Sequence, residues 1–249
     1  MLRKLIKRVG PVAAMVAGVT LSGCNVDMHV GSGDGVPLAE LDRSGEAPTG
    51  VVLAGPDTVI IENGSDFEID VSGDTRARDA LRFELDDSSL AISRDKDSEK
   101  NIGTATVRVT VPSLKAIVLA GSGSMEAQSM ENDAEVTIAG SGTAKVEKLA
   151  VNSLEMTIAG SGDFETSGSA SKLDMTIAGS GSADMAGLQV DEADVTIAGS
   201  GDVAFASDGT VDASIVGSGD VTVTGRATCT VSAMGSGKLR CSAGTAEAE

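Results

Sequence analysis

Thr157-Ile-Ala-Gly-Ser-Gly-Asp163 recurs word for word as Thr196–Asp202, and the shorter string TIAGSG also stands at Thr137–Gly142 and Thr176–Gly181. From residue 117 on, the triplet GSG occurs seven times, with first glycines Gly121, Gly140, Gly160, Gly179, Gly199, Gly217 and Gly235, at spacings of 18 to 20 residues. A nearly fixed period of this length marks a solenoid, in which each copy is one coil that buries its core only against its neighbours.

Aligned on GSG, the copies separate inside from outside. Two residues before the first glycine stand Leu119, Ile138, Ile158, Ile177, Ile197, Ile215 and Ala233; four before it stand Ile117, Val136, Met156, Met175, Val195, Ala213 and Val231. Apolar residues with period two are the inward side of a strand. Between them, facing out, come Val118, Thr137, Thr157, Thr176, Thr196, Ser214 and Ser232. After the corner the inward pattern resumes at Phe164 and Thr166, Val203 and Phe205, Val221 and Val223. Each coil therefore has a strand entering the corner and a strand leaving it. Equivalent residues stack about 4.8 Å apart in a parallel solenoid, so a corner residue must suit its own copy above and below. Glycine accepts positive φ and lets backbones approach, which accounts for the repeated wording as structure. The serines between the glycines are expected to stack as a hydroxyl ladder.

The chain opens MLRKLIKRVGPVAAMVAGVTLSGC. Arg3, Lys4, Lys7 and Arg8 precede an uncharged apolar run from Val9 to Leu21 that contains Pro11. The run is short for a membrane span, and the whole fits a secretory signal. It ends in Leu21-Ser22-Gly23-Cys24, which resembles the lipobox of bacterial lipoproteins. That resemblance implies lipid on Cys24, the membrane as a partner through that lipid, and anchoring without spanning. Asn25 rather than Asp follows the cysteine, which under enteric-type sorting favours the outer over the inner membrane. Residues 25–49 are rich in Gly, Pro, Asp and Ser without sustained period and read as a flexible tether. The expected organisation is signal peptide 1–23, tether 24–49, an irregular β segment 50–116, coils 117–242 and a tail 243–249. Within the irregular segment, short alternating runs are separated by turn residues, no helical period stands out, and Asn63-Gly64 reads as a hairpin-like turn.

The net charge is −18, and removal of residues 1–23, which hold four bases and no acid, takes it to −22. Such a surface repels nucleic acid and anionic lipid. With no Trp, no Tyr, four Phe and one His (His29), aromatic sugar platforms and histidine chemistry are disfavoured.

The whole pattern resembles the auto-transporter adhesin head GIN domain family, a domain of unknown function. The resemblance rests on the GSG and GSGD corners and on the lead-in Val107-Arg-Val-Thr-Val-Pro112-Ser-Leu114-Lys-Ala-Ile117, and covers about residues 50–242. It implies an all-β, single-stranded, right-handed parallel β-helix of about seven coils after a less regular β segment, in an exported protein. Coils of 18 residues alone would also suit a left-handed hexapeptide helix; those of 19 and 20 residues fit one poorly. The chain departs from the family in its strict TIAGSG wording and its lack of Tyr and Trp.

Candidate chemistry lies in outward columns. Five residues before the corner stand Glu135, Glu155, Asp174, Asp194 and Asp212. Like charges on neighbouring strands repel, so the column reads either as solvated charge that protects solubility or as a ladder for Ca²⁺, with the solvated reading preferred. No DxDxDG loop or GGxGxD nonapeptide is present. Just after the corner, Asp163, Asp202 and Asp220 alternate with Ser124, Thr143 and Ser182, short side chains suited to closing turns. A polysaccharide enzyme would need a base beside such acids or a close carboxylate pair; acids at equivalent places in successive coils look like ladder chemistry. Cys229 and Cys241 lie six residues either side of the last GSG, on inward positions. A flattened coil would set them face to face, an open triangular one a side length apart; the exported setting favours a disulfide. Lys238 and Arg240 in that coil are expected to discourage end-to-end strand pairing. The expected role is non-catalytic, with no cofactor: an acidic envelope module for surface binding or adhesion to an unknown partner. The alternative is a self-associating structural or envelope-assembly protein, and the third reading is a carbohydrate-active enzyme.

Overall fold

A computed structural model describes residues 35–86, 88–99 and 101–242. The signal peptide, the lipidation cysteine Cys24, most of the tether and the tail 243–249 lie outside the described residues. The described residues form sixteen strands: β1 (Gly50–Gly55), β2 (Thr58–Asn63), β3 (Glu68–Gly73), β4 (Leu81–Leu85), β5 (Ser89–Arg94), β6 (Ala105–Val111), β7 (Ala116–Gly121), β8 (Ser124–Ser129), β9 (Ala134–Gly140), β10 (Thr143–Gly160), β11 (Asp163–Gly179), β12 (Ser182–Gly199), β13 (Asp202–Gly217), β14 (Asp220–Thr224), β15 (Thr228–Gly235) and β16 (Lys238–Ser242). Among the described residues one short helix, α1 (Thr75–Asp79), interrupts them, and a single 3₁₀ turn at Leu38–Glu40 precedes them.

The strands stack as a parallel β-solenoid of about seven turns. On the face entering the corners, β5, β1, β7 and β9 are followed by the second halves of β10 to β13 and then β15, each parallel to the next. On the leaving face, β6, β2 and β8 are followed by the first halves of β10 to β13, then β14 and β16. In the fully repeated coils, a register shift such as that between Val146 and Leu149 marks the bend at which the leaving strand turns back toward the next entering strand.

Period-two side chains fill the interior. Val136, Ile138, Met156, Ile158, Met175, Ile177, Val195 and Ile197 are all buried. Each such side chain withdrawn from water is worth about 1.5–3 kcal/mol. Volumes alternate along the leaving column, where Phe164 packs between Ala144 below and Ala183 above. Thr166, the one hydroxyl in its inward column, donates to the Val146 carbonyl of the coil beneath at 2.9 Å.

The corners are held by backbone. The first glycine of each of the seven corners from Gly121 to Gly235 has φ between 125° and 140°. The N–H of Ser161 donates to the carbonyl of Gly140 at 2.8 Å, and Ser141, Ser180, Ser200, Ser218 and Ser236 repeat this bond. The expected hydroxyl ladder is replaced by these amide bonds: the corner serines are exposed, and among the described residues no hydroxyl-to-hydroxyl bond joins them. The second glycine answers to space, since a Cβ on Gly162 would lie 2.5 Å from Ile138 Cγ2.

The stack continues below residue 117. Val51, Leu53 and Gly55 lie in register beneath Ile117, Leu119 and Gly121, so Gly55-Pro56-Asp57 forms a further corner. The Asn63-Gly64 turn does not close a hairpin: β2 and β3 lie on opposite sides of β6, parallel and antiparallel to it, because β6 occupies the place beneath β2 that a hairpin partner would take. Antiparallel strands end the solenoid at its N-terminal side, β3 on β6 and β4 on β5, and Phe83 of β4 exchanges backbone bonds of 2.8 and 2.9 Å with Val36.

Candidate binding face

The entering face turns three parallel columns outward. Glu135, Glu155, Asp174, Asp194 and Asp212 stack in direct register, from Ala116 beneath to Thr230 above. Beside them run Thr137, Thr157, Thr176, Thr196 and Ser214, then Ala139, Ala159, Ala178, Ala198 and Val216. The in-register stack arises because coils of 18 to 20 residues keep the entering strand constant and absorb the length difference at the bend. Glu135, at the lower end, is half-buried; burial first, and the charge of Glu155 second, push its carboxyl above the ordinary range. Among the described residues no group of three or more His, Cys, Asp or Glu side chains converges on a point that could hold a metal ion. The face ends lower down in a different chemistry. Val118, at the position where higher coils expose Thr, is buried with Val52 and Ala91 in a small separate apolar cluster.

The leaving face carries the second set of acids. Asp163, Ser182, Asp202, Asp220 and Lys238 stand in one column. Their bonds run between coils rather than closing each residue's own turn: Ser182 Oγ donates to Asp163, the Asp220 N–H donates to Asp202 at 3.1 Å, and the Lys238 N–H donates to Asp220 at 3.0 Å. Arg240 pairs with Asp220 at 2.8 Å, and Lys145 with Glu165 at 3.5 Å. A shallow concavity of about 320 Å³ on this face is lined by Asp184, Asp202, Asp220, Thr222 and Arg240 among others. Asp202 and Asp220 are engaged in stitching one coil to the next, while Asp184 accepts from the Ala186 N–H of its own coil at 3.3 Å.

Two linkages fix the ends. Cys229 and Cys241 form a disulfide across the last coil, with Cα atoms 6.7 Å apart. At the other end, Asp57, wholly buried, accepts two bonds of 2.7 Å from the guanidinium of Arg94 and a third of 2.7 Å from the Ala105 N–H. Asp57 and Arg94 were not among the residues singled out by sequence. The available signal is the tetrapeptide VLAG, present at 52–55 and again at 118–121, which puts Asp57 at the place of the second corner glycine.

Among the described residues no helix is long and apolar enough to cross a membrane. Comparison with known proteins extends this picture. The family described as "Putative auto-transporter adhesin, head GIN domain" matches residues 47–227. A "putative adhesin" from Bacteroides fragilis superposes with a TM-score of 0.72 at 17% identity, covering 79% of this chain and 93% of that one. A "putative lipid binding protein" from Parabacteroides distasonis gives 0.61 at 22% identity, covering 80% and 94%. A "putative adhesin" from Parabacteroides merdae gives 0.61 at 19% identity, covering 79% and 92%. No curated protein matches. At these identities the structural likeness speaks for the fold.

Proposed function

The chain belongs to the auto-transporter adhesin head GIN domain family, and from that premise we propose that it is a non-catalytic binding module of the cell envelope, held to a membrane by lipid on Cys24. The observation that carries this reading is the outward face of the entering strands. Five coils present the same three columns, acid, hydroxyl and small apolar, in unbroken register. A repeating rigid surface suits contact with an extended or repeating partner, and interlocked coils keep it rigid. The acid column serves as solvated charge on that face. On the leaving face the carboxylates of Asp163, Asp202 and Asp220 are occupied by hydrogen bonds from neighbouring coils, which favours a structural over a catalytic role for them. The outer membrane is the preferred site, on the strength of Asn25 after the lipid cysteine.

Protease accessibility of the acidic domain, on intact against lysed cells, tests the reading. Cleavage on intact cells is the expected result. Protection until lysis would overturn surface binding and leave a role in assembly inside the envelope. Cys24→Ala tests the anchor separately: the variant is expected to leave the membrane fraction, and its retention there would remove the lipid from the account.

A further inference from the structure

The two ends of the solenoid are finished differently. At the N-terminal end the last parallel strands are covered by antiparallel β3 and β4, and β4 is itself bridged by Val36. At the C-terminal end β15 pairs only with β13 and β16 only with β14. Their outer edges carry backbone N–H and C=O groups that have no strand beyond them among the described residues. Such an edge is a template for another strand.

Side chains on this end agree. Val231 and Ala233 continue the inward columns of Ala213 and Ile215, yet Val231 is 48% exposed, with no coil above it among the described residues. Met234, at 74%, extends an outer column in which lower coils carry Ala, and it stacks on Val216, itself 52% exposed. Charge changes here as well. Each lower coil carries at least one acid, whereas residues 228–242 contain none and hold Lys238 and Arg240. Arg240 pairs with Asp220, and Lys238 makes no ion pair among the described residues. The Cys229–Cys241 disulfide ties β15 to β16, so the edge is held in strand geometry without a further coil.

We propose that the C-terminal coil is a self-association surface, and that its occupant is the same coil of a second copy. A chain of net charge −18 repels itself almost everywhere; the described residues of this coil bring no opposing carboxylates to the contact, and the Lys238 ammonium adds attraction to the acidic body opposite. The N-terminal end is finished by the antiparallel strands β3 and β4 and offers no parallel edge to match the C-terminal one. The contact is therefore end to same end about a two-fold axis, which makes a closed dimer rather than a filament. Edge strands related by that axis run antiparallel, bury Val231 of both copies and cover part of each Met234. Lys238 and Arg240, expected from sequence to discourage end-to-end pairing, act instead as its charged rim. The inference stands apart from the surface-binding reading, since it uses neither the outward columns nor the lipid.

The test is the protein mass of the full-length chain in detergent solution, measured by light scattering or sedimentation. The expected result is twice the monomer mass, reduced to the monomer by Met234→Glu and left unchanged by Thr176→Glu on the distant face. A second readout needs no substitution: amide exchange in β15 and β16 of the unaltered chain is expected to slow as protein concentration rises. A monomer at every concentration, or a dimer that Met234→Glu leaves intact and whose β15 and β16 amides stay concentration-independent, would overturn the proposal.

Discussion

Arg94 closes the N-terminal end of the solenoid from within by gripping Asp57 in a two-pronged ion pair, Nε and Nη2 each 2.7 Å from a carboxylate oxygen. The guanidinium reaches further to the Gly103 carbonyl, also at 2.7 Å. The side chains are 15% and 1% exposed, so the carboxylate has no water to fall back on and the guanidinium little. Asp57→Ala or Arg94→Ala is expected to cost about 3–5 kcal/mol, because each leaves a buried charge unmatched. Replacing both together with apolar residues is expected to cost less than either single change, as measured by denaturant midpoints.

A corner substitution probes the coil geometry. Gly160 has φ of 125°, and a Cβ there would stand 2.4 Å from the Gly140 oxygen. Gly160→Ala is expected to lose about 1–3 kcal/mol to backbone strain alone. The contact with the coil beneath adds to that loss. Ala159→Ser, one residue away on an exposed position, is expected to leave the melting temperature nearly unchanged.

The acid column has a pH signature at its lower end. Burial, and then the charge of Glu155, raise the Glu135 carboxyl above its ordinary value of 4.5. Between that value and the raised one, the folded chain holds a proton that the unfolded chain has released. Stability attributable to Glu135 therefore falls as pH rises through this window and stays low above it. Glu135→Gln is expected to raise stability at neutral pH and change it little below the window. Glu155→Gln is expected to move the Glu135 titration, followed by carboxyl NMR, part of the way back.

The terminal coil is expected to depend on its cross-link. Cys229 and Cys241 are separated by 12 residues, and closing a loop of that size is worth about 3 kcal/mol. Cys229→Ser with Cys241→Ser is expected to speed amide exchange in β15 and β16 while leaving β10 to β12 protected, because coils lend stability only to their neighbours.

Position in the repeats was legible because stacking turns a sequence period directly into spatial register. Glu135 and Glu155 are twenty residues apart and adjacent in space for the same reason that Ile138 and Ile158 are. The reading fades where that translation fails. The Gly55 corner carries Pro and Asp in place of Ser and Gly, so the shared VLAG at 52–55 and 118–121 was the remaining trace of it. Thr75–Asp79 is one turn and a half of helix, too short to show a helical period. The turn at Asn63-Gly64 has hairpin residues but no hairpin partner, since β6, more than forty residues later, takes the place beside β2. Asp57 and Arg94 join across 37 residues with no periodic relation. Val118 looked outward by pattern and does point outward, yet it is covered along with Val52 and Ala91, a matter of what lies over the sheet rather than of the strand itself.

The uniform register of the coils also bears on how this chain can change length. Since Thr157–Gly160 and Thr176–Gly179 lie one above the other as identical text, excision of the intervening nineteen residues rejoins the strand to a neighbour of matching shape. A gain or loss of one unit alters the height of the stack by about 4.8 Å and leaves both terminal structures untouched. Such a molecule evolves its dimensions in whole steps, through slippage between like segments, while a deletion of five or ten residues would shear every column above it.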